Sequence, residues 1–213
     1  LIRLPRDAPL AAAAHRVLRA AFKQRLYRDR SPDGSRPFIK EANMQSMQKD
    51  MDELRLQIEK KSIQKAYRAL ISYMTGLRTS FAEKYGEPAV SALYQGYMDM
   101  TYFALFPPSL KSLDLKVAIV FNYDAFRFEA WLAARNRKIQ RQYYELFKDS
   151  HWNEYRVIPP AQGVDSMIEC DLAKGLDFSN PDALTSRIEN DAAVFIADIE
   201  AFLSRHPLHL KTV

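Results

Sequence analysis

Residues 94–147 read YQGYMDMTYFALFPPSLKSLDLKVAIVFNYDAFRFEAWLAARNRKIQRQYYELF. Residues 115–122 (LKVAIVFN) and 125–133 (AFRFEAWLA) are rich in β-branched and aromatic residues and flank Tyr123-Asp124, which predicts an antiparallel hairpin. Side chains alternate along a strand, so Phe126, Phe128, Ala130 and Leu132 point one way and Arg127, Glu129 and Trp131 the other. Behind the hairpin, Ile139, Tyr143, Leu146 and Phe147 recur at helical spacing. Ahead of it, residues 88–105 carry Val90, Leu93, Tyr94, Tyr97, Met98, Met100, Tyr102, Phe103 and Leu105. This predicts a helix apolar nearly all round, buried on most sides and stopped by Pro107-Pro108. Gly96 inside it would cost about 1 kcal/mol against alanine, which points to a close backbone approach.

Working outward, Met51, Leu54 and Ile58 make one apolar stripe on a charged helix from about Met47 to Ser62. A second helix, to about Tyr85, carries Ile63, Tyr67, Leu70, Ile71, Met74, Leu77 and Phe81, with Gly86 as its C-cap. On the other side, residues 154–158 and 166–172 read as two strands joined by a loop with Pro159, Pro160 and Gly163. Ile168, Cys170 and Leu172 alternate there with Glu169 and Asp171. Asn180-Pro181-Asp182 starts a last helix: a cap, a proline in the first turn and an acid near the positive end of the dipole. The order is three helices, two strands, a helix, two strands and a helix. The fold class is α+β, with N-terminal helices packed on a small, at least partly antiparallel sheet, a helix between strand pairs and a C-terminal helix.

The 213 residues carry a net charge of +5. That charge is uneven. Residues 1–43 hold ten Lys/Arg against four Asp/Glu, so residues 44–213 are close to neutral. A phosphate-holding domain needs a basic surplus on one face, so nucleic acid is not expected as a partner of residues 44–213. The basic segment 1–43 has an alanine run, Ala11 to Ala14, and eight Arg to two Lys. It reads as a low-order extension foreign to the domain, with translation starting at Met44 or Met47; a transit peptide and a basic nucleic-acid arm are the other readings. Residues 44–213 read as a single α+β domain. No apolar run reaches the roughly 18 residues of a membrane span. The one cysteine, Cys170, rules out an intramolecular disulfide and fits a reducing cytoplasm.

Four stretches carry a family resemblance: IQKAYRAL (63–70), YQGYMDMTYFALFPPSLK (94–111), LKVAIVFNYDAFRFEAWLAARNRKIQ (115–140) and the segment Trp152 to Ile158. Over about residues 47–205 the chain resembles an uncharacterised family of small bacterial α+β domains of unknown function. The resemblance implies a cytoplasmic, single-domain protein and carries no catalytic residue across.

Candidate chemistry rests on a few polar residues. Arg127, Glu129 and Trp131 share a strand face. If the segment of Tyr94, Tyr97, Asp99 and Tyr102 covers it, arginine would grip an anion, the aromatic rings would stack a planar group and the acids would orient it. The plainer reading is an outer sheet face with cross-strand salt bridges. Asp99, in the middle of an apolar stretch, reads as a general base or a ligand anchor, or else as a structural group in a buried salt bridge or a helix-capping contact, with Arg127, Arg78 or Arg135 as the partner. Arg135, Asn136, Arg137 and Lys138 open a helix and form a candidate anion site. Asp99, Glu129, Glu169 and Asp171 could converge on a divalent cation, as a hydrolase or nuclease requires, but the acid-x-Lys triplet of a nuclease core is missing from 129–131. His15, His151, His206 and His209 do not cluster, and neither a phosphate loop nor a nucleophile elbow is present. The sequence therefore points to a non-enzymatic module binding a small molecule or a protein, with a metal-dependent hydrolase or nuclease as the alternative. No cofactor, metal or catalytic residue is expected.

Overall fold

In a computed structural model, which describes residues 41–208, six strands form one antiparallel sheet in the order β1-β2-β3-β4-β6-β5. The strands are β1 (Tyr94–Gln95), β2 (Met100–Leu105), β3 (Leu115–Asn122), β4 (Arg127–Ala134), β5 (Arg156–Val157) and β6 (Ser166–Leu172). The helices are α1 (Glu41–Glu59), α2 (Ser62–Tyr85), the one-turn α3 (Pro108–Lys111), α4 (Arg137–Asp149) and α5 (Pro181–Arg205). The predicted basic extension falls outside the described residues up to residue 40, as do His15 and His209.

The class is α+β, as predicted, and every strand pairing is antiparallel. The 115–134 hairpin forms as its pattern predicts, with Leu115 opposite Ala134 and Asn122 opposite Arg127. Its turn is closed by the Ala125 N–H donating to Asn122 Oδ1 at 3.2 Å. Phe126 does not join the strand's core side. It sits in the turn at φ 48°, with its ring largely exposed. α5 starts where predicted: Asn180 Oδ1 accepts from the Ala183 N–H at 3.1 Å, with Pro181 in the first turn. Gly86 caps α2 at φ 85°, and its N–H donates to the Ala82 carbonyl at 2.8 Å.

The predicted helix over 88–105 is a correction. The stretch forms a three-residue 3-10 turn (Glu87–Ala89), then β1, a tight turn and β2. β2 is paired on both edges and buried on both faces, so its apolar residues do not alternate with polar ones. A short run of that kind gives no period to separate strand from helix. Gly96 lies in the β1–β2 turn, and its N–H donates to the Met100 carbonyl at 3.0 Å.

The sheet divides the molecule. On one face the buried apolar residues of α2, α3, α4 and α5 pack against Phe103, Leu105, Val117, Ile119, Phe121, Phe128, Ala130, Leu132 and Ile168. Each large side chain of this core contributes about 1.5–3 kcal/mol by leaving water. The second face carries a smaller cluster: Tyr102, Ala118 and Val120, with Tyr94, Met100 and Trp131 against it. Since β4 alternates, Arg127, Glu129 and Trp131 fall on this second face.

Candidate functional site

The second sheet face is read row by row from the strand register. One row runs Tyr102, Val120, Glu129, Asp171; the next runs Ala104, Ala118, Trp131, Glu169, Arg156. A third pairs Lys116 with Ala133 and Ala133 with Ser166, beside a bulge that shifts the β4–β6 register at Leu132/Ala133. The alanines leave a depression between the larger side chains. The segment from Ile158 to Asp165 walls it, giving an open cavity of about 430 Å³.

Glu129 organises the floor. Its side chain is 1% exposed. Oε1 accepts from Arg127 Nε at 2.7 Å, and Oε2 accepts from the Trp131 indole N–H at 2.7 Å and from Asn122 Nδ2 at 3.4 Å. A buried carboxylate persists only when it is paired and hydrogen-bonded, and these contacts do both. They also fix the guanidinium and the indole in place. The hydrogen bond from Arg127 to Glu129 is the main cause of the arginine's raised pKa, with Asp171 and Glu169 adding to it.

A second guanidinium joins from the edge of the sheet. Arg156 lies 3.0 Å from Asp171, 3.5 Å from Glu169 and 3.5 Å from Glu129, while Arg127 also reaches Asp171 at 3.3 Å. Ser166 Oγ donates to Glu169 at 2.6 Å. Glu129, Glu169 and Asp171 do converge, but around two arginines. Among the described residues no group of three His, Cys, Asp or Glu side chains is arranged to hold a metal ion.

The other predicted residues distribute as follows. Tyr102 lies on the second face, with its ring centroid 4.9 Å from that of Tyr94. Burial, with the nearby charges of Tyr94, Asp165 and Asp99, pushes the Tyr102 phenol well above its ordinary value. Tyr97 is in the β1–β2 turn, 77% exposed, and does not line the cavity. Asp99, in the same turn, sits at the cavity rim. Its Oδ1 accepts from the Tyr97 N–H at 3.0 Å, and its buried Oδ2 has no hydrogen-bond partner among the described residues. The expected pairing of Asp99 with an arginine is corrected. Arg78 bonds Glu87 and the Ser91 carbonyl, Arg135 pairs with Asp114 at 3.1 Å, and Arg127 with Glu129 and Asp171.

The 135–138 group is built into the helix start. Asn136 is the N-cap of α4, accepting from the Ile139 N–H at 3.0 Å. Arg137 pairs with Asp165 at 3.3 Å and donates to Gln140 and to the Val164 carbonyl. These bonds tie the cavity wall to α4. Lys138 is exposed on the first turn.

Sequence reasoning missed Arg156, Asp165, Ser166 and Lys116. A two-residue edge strand leaves no pattern that would place Arg156 beside Glu129. Lys116 did leave a signal: it is the one charged residue in LKVAIVFN. It is 8% exposed and lines the cavity. Burial lowers its pKa below the ordinary lysine value, against a smaller opposing pull from Asp165. Asp165 is pushed up by burial, with Arg137 and Lys116 opposing. Cys170, on the core side, has its thiol pushed up to about 11 by burial first and by nearby Asp171 and Asp191. That leaves it a thiol, not a thiolate, at neutral pH.

Residues 47–203 match the family model described as Domain of unknown function (DUF7000). No curated protein and no solved structure matches the chain. Among the described residues no helix is long and apolar enough to cross a membrane.

Proposed function

The chain belongs to the DUF7000 family of domains of unknown function, and from that premise we propose that it is a non-enzymatic binding module taking a small polar molecule on the second sheet face. The observation that carries this reading is the cavity of about 430 Å³ in which buried Glu129 holds Arg127 and Trp131 in fixed orientation. Small-ligand sites are concave, partly apolar and furnished with a few fixed polar groups. Orientation set before binding lowers the entropy cost of association.

The lining carries Lys116, Arg127 and Arg156 against Asp99, Asp124, Glu129, Asp165 and Glu169. The surplus is acidic, which favours a neutral or cationic ligand over a phosphate. A planar group would lie beside the Trp131 and Tyr102 rings, with its polar edge toward Arg127 and Asp99. The hydrolase reading has less support, since a cation would have to displace Arg127 or Arg156 from the carboxylates. A cytoplasmic setting suits the lone cysteine.

A thermal-shift screen of the full chain against metabolites, nucleotides and divalent cations tests the reading. A small molecule should raise Tm, and Trp131→Leu should abolish the rise while the variant still unfolds cooperatively. Stabilisation by a divalent cation alone, lost in Asp171→Asn, would replace this reading with the hydrolase. No shift with any small molecule would turn the search to a protein partner.

A further inference from the structure

Of the cations that line the cavity among the described residues, Lys116 is the one that the arginine–carboxylate network leaves unused. It stands on β3 with Ala133 opposite, and Ser166 closes the row, so its side chain falls on the second face beside Asp165. It is 8% exposed, and among the described residues its side chain makes no hydrogen bond or ion pair. Arg137 takes the Asp165 carboxylate instead, at 3.3 Å. Burial of most of this side chain penalises the ammonium and shifts the balance toward the neutral, nucleophilic amine. Asp165 moves the opposite way, toward its protonated form. An amine kept only to grip an anion would benefit from staying charged, and its burial works against that.

We propose that Lys116 captures an aldehyde or ketone carbonyl of the cavity's ligand as an imine, an inference that rests on the second-face cavity being the binding site. The Lys116 Nζ lone pair forms the N–C bond while the carbonyl π electrons move to oxygen, which takes a proton that the Asp165 carboxylate relays from the nitrogen. The resulting hydroxyl then leaves as water with a proton returned through Asp165 from the nitrogen, and a C=N bond forms. One water is released and nothing is oxidised or reduced. Trp131, on the same face, offers a ring surface to a planar group beside the carbonyl.

Benzaldehyde with sodium cyanoborohydride at pH 7 tests this on the wild-type chain. The reductant converts any imine to N-benzyl-lysine, which peptide mass spectrometry locates. Lys116 should be labelled at least about tenfold faster than exposed Lys111, Lys138 and Lys148, a factor set by a barrier difference of about 1.4 kcal/mol. The label at this site should vanish in Lys116→Met without changing at the others. Labelling of Lys116 no faster than the exposed lysines overturns the proposal. Benzyl alcohol, which lacks the carbonyl, separates the two readings through the Trp131 indole N–H resonance. A shifted indole with unlabelled Lys116 overturns the amine chemistry and leaves the cavity standing. An unshifted indole with unlabelled Lys116 removes both.

Discussion

Glu129 and Lys116 are both buried charged residues on the second face, one row apart from Trp131 on either side, and they differ in what surrounds them. Glu129 has two strong donors and a nearby second guanidinium. Lys116 has burial and no ion-pair partner, only the opposing pull of Asp165. Its lowered folded-state pKa means that the unfolded chain binds more protons between that value and the ordinary 10.5. Stability therefore rises with pH across this window as the folded amine is relieved of its charge. Lys116→Met, close in volume and free of charge, should stabilise the fold at pH 7 by about 0.5–2 kcal/mol. The gain should shrink as pH approaches 10.5. Urea denaturation of both proteins from pH 7 to 10 measures the difference; a gain independent of pH would mean that packing, not charge, sets it. The sequence made half of this arrangement legible. A period of two puts Arg127, Glu129 and Trp131 on one face, whatever the neighbouring strands. Nothing local to Arg156 or Asp165 says which strand they meet, because that depends on register across a loop.

At the scale of elements, the β1–β2 hairpin is where sequence and structure part. YMDMTYFAL carries apolar residues at every helical angle because β2 is an interior strand, with core on one side and Val120, Tyr94 and Trp131 on the other. The hairpin β3–β4 was legible because β4 alternates, and α5 because its start has three independent signals. The marker for the β1–β2 turn is Gly96. A Cβ there would lie 2.3 Å from the Met100 carbonyl oxygen and 2.3 Å from Asp99 Oδ1. The carboxylate could swing away, but the carbonyl is fixed by the β1–β2 pairing and accepts the Gly96 N–H. Gly96→Ala should therefore open the turn, costing about 1–3 kcal/mol and lowering Tm by about 2–10 °C. Scanning calorimetry reads that loss. In a helix with open space at this position the same substitution would raise stability by about 1 kcal/mol, so a gain would exclude the tight β1–β2 turn.

The whole molecule is a sheet with a thick core on one face and a shallow, polar hollow on the other, and its stability should be distributed to match. β3 lies in the middle of the sheet, with Val117, Ile119, Val120 and Phe121 fully buried. α2 and α5 contribute Met74, Leu77, Phe81, Phe195 and Ile199 to the same core. The described side chains of α1 contribute none: Met47, Met51, Leu54 and Ile58 are each roughly half exposed, and the helix packs against α2. A 19-residue helix held by so little burial is marginal in water. Its opening breaks few contacts, while exposing β3 requires unfolding the sheet. Native-state hydrogen exchange should find the amides of α1 exchanging at least about a thousandfold faster than those of β3, equivalent to a gap of about 4 kcal/mol in opening free energy. Protection of α1 equal to that of β3 would mean that its apolar stripe is covered in solution. The sequence predicted Met51, Leu54 and Ile58 as one apolar stripe on a charged helix, and such a result would make α1 part of an interface instead of a helix at the margin of the domain.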